Sequence, residues 1–356
     1  MAATVAKSTI QEAEFIRRAH DIVRDHKPVR PVIIRTDLQQ SNGMAYVELY
    51  IYHTEPAYSP LMILSFFVAS FLLYRASVFT HELAHIGPTR FRAFRIVWNL
   101  LFGIPFLMPS YFYTDHRVHH VNQLYGTAGD AEYFPYAHMR PWSLALNVLI
   151  VFLIPFMLVL RFSVLTVACL FSPRLKTWVW QKASSLGNLN PRYFRAPADA
   201  HERWCYRWQE TGCFLVVAAV ATLTILGVIP MSWLVRIYAA YVFVTFVNQL
   251  RVYAAHRYIN ESEPMSFLEQ MLDSTTIPGG PWSELWAPLG MRYHALHHLF
   301  PAMPYHAMGA AHRRLMRELP ADSPYHATLR PSLAAAIADL IRSAREHHAR
   351  RAAPAA

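Results

Sequence analysis

Apolar and polar positions divide the chain into long hydrophobic runs separated by polar stretches. The first run, Pro60 to Thr80, carries one charge, Arg75. It is long enough to span a hydrocarbon layer of about 30 Å. A second run, Ile96 to Tyr113, contains Pro105 and Pro109, and a third, Ser143 to Phe171, is interrupted by Pro155 and Arg161. Gly212–Val228 and Met231–Leu250 are separated only by Ile229 and Pro230, so they predict a helical hairpin. Residues 1–56 are mixed and polar, with a helix expected near 9–25, and 172–210 is polar and Trp-rich. From Arg251 onward the chain is soluble in character, and Leu333 to Arg351 reads as an amphipathic helix with a basic tail. The pattern predicts an all-α integral membrane protein: a polar or amphipathic segment over 1–56, a membrane domain over 57–330 and a basic amphipathic tail over 331–356. It shows no internal repeat and no low-complexity segment.

Composition supports membrane burial. The 356 residues are 54% hydrophobic and 14% aromatic, with 16% charged, against about 25% charged in an ordinary soluble domain. The net charge is +10. No basic block is interleaved with aromatics as a nucleic-acid groove requires, so the excess reads as the positive bias of loops beside an anionic leaflet, with no nucleic-acid partner. Cys169, Cys205 and Cys213 form no C-x-x-C pair and are too few for a four-cysteine iron–sulfur cluster. Cys169 and Cys213 lie in apolar stretches and read as buried thiols. Met1 to Arg18 has no apolar segment after its first basic residue, so no signal peptide is expected.

Eight of the 19 histidines fall into three groups: His81 and His85; His116, His119 and His120; His294, His297 and His298. Spacings of i,i+3 and i,i+4 put these imidazoles on one face of a helix, about a turn apart. A lone histidine beside an apolar run is ordinarily a core residue satisfied by a hydrogen bond. Three groups, each next to a long apolar segment, are not accounted for in that way. Neutral imidazole suits iron, zinc, copper and nickel. A closed zinc site needs only about four ligands, whereas eight nitrogens fit two metals with a position left open. Zinc has no redox chemistry, so two irons are the expected pair. Glu82, Asp115, Asp130 and Glu132 are candidates to accept the imidazoles' other N–H. Tyr111, Phe112, Tyr113 and Tyr293 are either substrate-path or interfacial-belt aromatics.

Two rivals share part of the pattern. His81-Glu82-Leu83-Ala84-His85 is also the zincin signature with Glu82 as general base, and Leu272-Asp273 superficially supplies a third ligand. That reading leaves six box histidines unused. A metal transporter would need polar groups at the middle of opposed spans, whereas these histidines sit at helix ends.

The three boxes resemble those of the membrane fatty acid desaturase superfamily, in its bacterial branch. That superfamily also holds sphingolipid desaturases, acyl hydroxylases and carotenoid ketolases. The flanks are similar too: Tyr125-Gly126-Thr127 and Asp130-Ala131-Glu132-Tyr133 after the second box, Trp286-Ala287-Pro288-Leu289-Gly290 before the third, and Leu299-Phe300-Pro301 with Pro304-Tyr305-His306 after it. The resemblance covers roughly residues 61–315. It implies a transmembrane helix bundle with a cytosolic helical cap holding a histidine-ligated di-iron centre, in a bacterial inner membrane with the boxes facing the cytoplasm. It adds His256 as a ninth ligand. Family members often carry an asparagine four residues earlier, holding a metal-bound water. Here Val252 stands there and Asn248 lies one turn further back. The implied reaction uses O2 and two electrons from an external donor, a ferredoxin or a cytochrome with its reductase. The substrate is a lipid or acyl thioester, and the expected outcome is desaturation, with hydroxylation of an acyl or alkyl chain as the alternative. His312, outside every box, is expected to tolerate alanine.

Topology must bring the boxes to one side. Ile96–Tyr113 therefore cannot cross once, and its prolines predict a re-entrant or in-plane segment. The hairpin at 212–250 supplies two crossings, so Ser143–Phe171 must be a tight hairpin or lie in the interface. Residues 43–58 make a poor first span, because Glu48, His53 and Glu55 interrupt them.

Overall fold

The structure is a computed structural model that describes residues 2–86, 91–185 and 190–352. Among these residues it is all helix, with no strand beyond two isolated bridges, His256 with Ser274 and Thr276 with Leu329. In chain order the helices are α1 (Ala2–Val23), α2 (Pro31–Thr54), α3 (Pro60–His85), α4 (Arg92–Trp98), α5 (His116–His119), α6 (Pro141–Val148), α7 (Ile154–Leu160), α8 (Thr166–Phe171), α9 (Pro173–Lys182), α10 (Ala200–Ile225), α11 (Met231–Ala255), α12 (Phe267–Asp273), α13 (Ser283–Trp286), α14 (His294–Leu299), α15 (Tyr305–Glu318) and α16 (Leu333–Ala352). Four segments are long and apolar enough to cross a membrane: Pro60–His85, Ile154–Phe171, Glu202–Ile225 and Met231–Ala255.

The first apolar run becomes α3. Pro60 opens it at a position where its missing N–H costs nothing, and Ser59 caps it by accepting from the Met62 N–H at 3.1 Å. Its one charge is explained by α2, which lies alongside. Arg75 Nε donates to Asp37 Oδ1 at 2.9 Å, and its Nη1 donates to Glu284 Oε2 at 3.1 Å. The poor span at 43–58 is thus the second half of a helix that begins at Pro31. At 24 residues that helix is about 36 Å long, and its polar positions Asp37, Ser41 and Asn42 are turned inward.

The proline-bearing run 96–113 does not cross. α4 loosens into a wide turn at Asn99–Gly103, and a tight turn at Ser110–Tyr113 leads into the second box. A buried network holds it folded back. Asn99 Nδ2 donates to Ser110 Oγ at 2.8 Å, the Ser110 N–H to Asn99 Oδ1 at 2.8 Å, and the Tyr111 N–H to Gln209 Oε1 of α10 at 3.3 Å. Arg95 donates to the Leu83 carbonyl at 2.8 Å and so closes the C-terminus of α3, where the first box sits.

α10 opens with a capping box, Asp199 with Glu202, and ends at Gly227 in the left-handed conformation (φ 73°). Pro230 starts α11 directly afterwards, giving the predicted hairpin. If this hairpin takes two crossings, the meeting of boxes two and three requires the segment 141–182 to begin and end on the same side. Its Arg161 is buried and donates to the Ala183 carbonyl at 2.8 Å and to Glu210 Oε1 at 2.8 Å. Of the cysteines, Cys213 is buried and Cys169 only partly so. The remaining helices form a cap over the ends of α3 and α11. α1 buries Ala19, Ile22 and Val23 in the cluster built on α15, and α16 buries Leu340 and Ala344 against Tyr253 and Tyr258. The last four residues of the basic tail lie outside the described residues.

Candidate metal centre

The first box occupies the last turn and a half of α3. The second is the single turn α5, and the third is α14. His256 follows the last residue of α11 and is fixed by a short antiparallel pairing. The Arg257 N–H donates to the Asp273 carbonyl at 2.6 Å and the Thr275 N–H to the Ala255 carbonyl at 2.9 Å. The Ala295 N–H in turn donates to the Thr275 carbonyl at 2.9 Å. This ladder sets the third box against the end of α11.

The structure gathers all nine predicted histidines. His81, His85, His116 and His297 form one group; His119, His256, His294 and His298 form a second. Within each, the candidate ligand atoms lie within 4.8 Å of one another. His120 lies between the groups: its Nε2 is 3.0 Å from Nε2 of His116 and 3.0 Å from Nε2 of His297 in the first, and its ring centroid is 4.4 Å from that of His298 in the second. In the second group, His256 Nε2 is 2.9 Å from His294 Nε2 and 3.2 Å from His119 Nε2, and His298 Nε2 is 3.2 Å from His294 Nε2.

These distances match the edges that a coordination polyhedron would have. Nitrogens held about 2.1 Å from one ion at right angles lie about 3.0 Å apart. Both ring nitrogens of buried His81, and Nε2 of His85, have no hydrogen-bond partner in the protein. Buried polar atoms are otherwise paired in folded proteins. A donor set of neutral nitrogens, aimed inward and left unpaired, fits a metal centre.

Three of the imidazoles are oriented from behind. His116 Nδ1 donates to Glu132 Oε2 at 2.9 Å and His119 Nδ1 to Asp130 Oδ2 at 2.9 Å. His256 Nδ1 pairs with the Tyr125 hydroxyl at 2.8 Å and the Ser274 hydroxyl at 3.1 Å, and Tyr125 in turn donates to Asp273 Oδ2 at 2.6 Å. These contacts leave Nε2 of each ring facing the group. Asp130 is fully buried and also accepts from the backbone N–H of Gly126 (3.0 Å), Glu132 (2.9 Å) and Tyr133 (3.3 Å). Gly126 is required there: its φ is +71°, and a Cβ would stand 2.3 Å from Asn260 Nδ2.

Charge follows from this geometry. Burial, reinforced by neighbouring imidazoles and for His294 first by Arg251, holds His120, His256, His294, His297 and His298 well below the usual histidine range, so they are neutral. Burial also works against charge on His119, but Asp130 outweighs it and raises the imidazole above its ordinary value. Burial opposes ionisation of Asp130 and Glu132 too, yet His119 and His116 hold both carboxyls below theirs.

The other predicted residues are placed differently. Glu82 takes a backbone hydrogen bond from Tyr305, away from the imidazoles. Asp115 faces Arg195, 3.5 Å away. Asn248 Oδ1 accepts from Arg251 Nε at 3.1 Å and from the Tyr74 hydroxyl at 3.4 Å. Asp273, the third ligand of the protease reading, belongs behind His256 through Tyr125. His312 is buried, with Nδ1 2.8 Å from the Tyr325 hydroxyl and its ring 5.0 Å from that of Tyr293. It is a packed core residue of the cap, so the expected tolerance to alanine loses its basis.

A cavity of about 490 Å³ opens against His81, His116, His119, His256 and His294 and runs along α11 past Asn248, Thr245 and Tyr241. Phe112 and Tyr113 line it, but Tyr111 and Tyr293 do not. Tyr113 stacks on His116 with ring centroids 4.9 Å apart. Sequence reasoning passed over Tyr125, Ser274 and Arg251. A tyrosine directly after the second box, and an arginine at the end of a span, were the available signals.

Residues 57–329 match the profile of the Fatty acid desaturase family. The chain is 35% identical over 345 residues, 96% of its length and 97% of the relative's, to a ceramide hydroxylase of Caulobacter vibrioides (strain NA1000 / CB15N). No solved structure matches it significantly.

Proposed function

Because the chain belongs to the fatty acid desaturase family, we propose that it is an O2-dependent lipid hydroxylase acting on a ceramide-type substrate through a di-iron centre. The observation that carries the reading is the pair of buried four-histidine groups facing one cavity. Identity at 35% over nearly the whole of both chains favours hydroxylation over desaturation, and the same centre serves either outcome. His81, His85, His116 and His297 would hold one iron, and His119, His256, His294 and His298 the other, with His120 between them. The irons supply activation of O2, with two electrons from a separate ferredoxin or cytochrome and its reductase. The chain's own part is orientation and exclusion of water. Glu132, Asp130 and Tyr125 fix the imidazole rings, and the apolar reach of the cavity along α11 accepts an acyl chain. The protein sits in the bacterial inner membrane with the boxes on the cytoplasmic side, where basic loops face the anionic leaflet.

The test is lipid analysis of a host that makes sphingolipids, expressing the chain under 18O2. Ceramides that gain one labelled oxygen atom are the expected product. Ceramides that instead lose two hydrogens would assign desaturation, and unchanged lipids with iron and a reductase supplied would overturn both.

A further inference from the structure

α11 presents one face to the cavity: Tyr241, the pairs Val244–Thr245 and Asn248–Gln249, then Arg251–Val252 and Ala255, recur about three or four residues apart. Most of this face is what an acyl chain requires, and Arg251 is the exception. It precedes His256 by five residues, about 7.5 Å along the helix. Its charge reaches His256 and His294. Among the described residues it forms no ion pair. Its Nε donates to Asn248 Oδ1 at 3.1 Å, and its other close neighbours are the neutral side chains of Tyr74, Tyr113 and Tyr258. The nearest carboxylate, Glu132, is already taken by His116 Nδ1 at 2.9 Å and the Tyr113 hydroxyl at 3.3 Å. A guanidinium has five N–H donors; Asn248 and the Tyr74 hydroxyl engage part of that capacity, and the side chain lines the cavity. An uncompensated cation at the end of a membrane helix is costly unless something completes its shell.

We propose that Arg251 receives an oxygen acceptor at the polar end of the substrate's acyl chain, so that the carbon oxidised lies within a few bonds of that oxygen. This rests on the reading of the histidine centre as a lipid oxidase and deepens it. A centre that attacked the middle of a chain would want apolar walls beside the reacting methylenes. Here the polar band of Arg251 and Asn248 adjoins the imidazoles, and the apolar wall of Val244, Ile154, Met157 and Leu158 lies beyond it. The acyl tail therefore runs away from the centre while its head-end oxygen stays close. An amide carbonyl and a free carboxylate share the needed chemistry.

The experiment measures equilibrium binding of tritiated N-palmitoyl sphinganine to the detergent-solubilised full chain and to Arg251→Gln and Arg251→Lys. Metal content and Tm are followed in parallel. A hydrogen bond to a charged partner is worth about 1.5–3 kcal/mol, so Arg251→Gln should bind about 10- to 100-fold more weakly at unchanged metal content, with Arg251→Lys between. The thioamide analogue of N-palmitoyl sphinganine, neutral and with a weakly accepting sulfur in place of the carbonyl oxygen, should bind the unaltered protein with a deficit in the same direction and lose nothing further in Arg251→Gln. That arm holds even if the variant folds poorly. Palmitic acid competing more strongly than the ceramide would assign the carboxylate as the acceptor. Equal binding of both sphinganine probes by the unaltered protein would overturn the role of Arg251. Failure to bind either probe or palmitic acid would instead overturn the reading of the substrate.

Discussion

On the proposed two-metal reading, replacing Asp130 by asparagine should cost the protein the metal held by the group of His119. The Asp130 carboxylate accepts four hydrogen bonds: Oδ2 from His119 Nδ1 at 2.9 Å and the Gly126 N–H at 3.0 Å, and Oδ1 from the Glu132 and Tyr133 N–H at 2.9 and 3.3 Å. An amide keeps one oxygen and turns an NH2 toward the other pair of donors. If the NH2 faces Glu132 and Tyr133, two buried N–H groups lose their acceptor at about 1–3 kcal/mol each. If it faces His119, that ring must accept at Nδ1 and carry its proton on Nε2, the nitrogen that points at the second histidine group. The expected loss of stability is therefore about 2–6 kcal/mol. The expected loss of metal affinity is about 10- to 100-fold, confined to the group of His119, His256, His294 and His298. The assay is a chelator titration of purified protein, with retained metal read by elemental mass spectrometry and Tm read in parallel. The reasoning is refuted if Asp130→Asn releases both metals at the chelator concentration of the unaltered protein and melts at the same temperature.

Glu132→Gln should act on the other group through His116, releasing the complementary metal in the same titration. His256→Ala should keep the fold, judged by monodispersity in detergent, while losing one metal and at least about 100-fold in turnover; full metal and full turnover would remove it from the ligand set. Asp37→Ala leaves Arg75 without its bidentate partner and Tyr305 without the acceptor 2.9 Å from its hydroxyl. Because the pair keeps some solvent exposure, the expected cost is about 1–3 kcal/mol, less than for a dry pair, and thermal unfolding measures it. His312 should give the cap an acid sensitivity. Burial, with Arg313 and Arg292 nearby, lowers its pKa to about 4 in the folded protein, against about 6.5 unfolded. Its contribution is complete above about pH 6.5 and declines as pH falls toward 4, because the unfolded chain takes up the proton first. The fall in Tm across that window should be shallower in His312→Phe, and an identical pH dependence in both proteins would contradict it.

The histidine boxes and the terminal hairpin were legible because each writes itself locally: i,i+3 and i,i+4 spacing in one case, two apolar runs and a Pro230 in the other. α2 was not. A window opening at Gly43 starts in the middle of the helix. Of the polar side chains, His53 inside the window is 2.7 Å from the Leu49 carbonyl, and Asp37 and Asn42 before it are satisfied by Arg75 and by the Leu38 carbonyl at 3.0 Å. Such pairing is a property of two helices together and leaves no trace in either alone. The support behind His256 was hidden for the same reason, since Tyr125 and the Asp273–Ser274 pair reach it from two segments distant in sequence. Glu82 shows the converse: a carboxylate adjacent in sequence to two of the gathered histidines points to the Tyr305 backbone.

The division of the imidazoles between the two halves of the chain fixes when the centre can exist during synthesis. The first group takes three histidines from the stretch that ends at His120 and a fourth, His297, from nearly 180 residues later. The second group takes one from the early stretch and three from the late one. A ribosome that has released α3 and α5 into the membrane has therefore produced a three-nitrogen partial site and a single nitrogen. Neither is closed until α11 is inserted and α14 emerges and docks. Loops of that length close slowly relative to local helices, so there is an interval in which His81, His85 and His116 stand open to whatever divalent ion is present around them. The last-made segment, from His256 to His298, supplies the ligands that complete both groups.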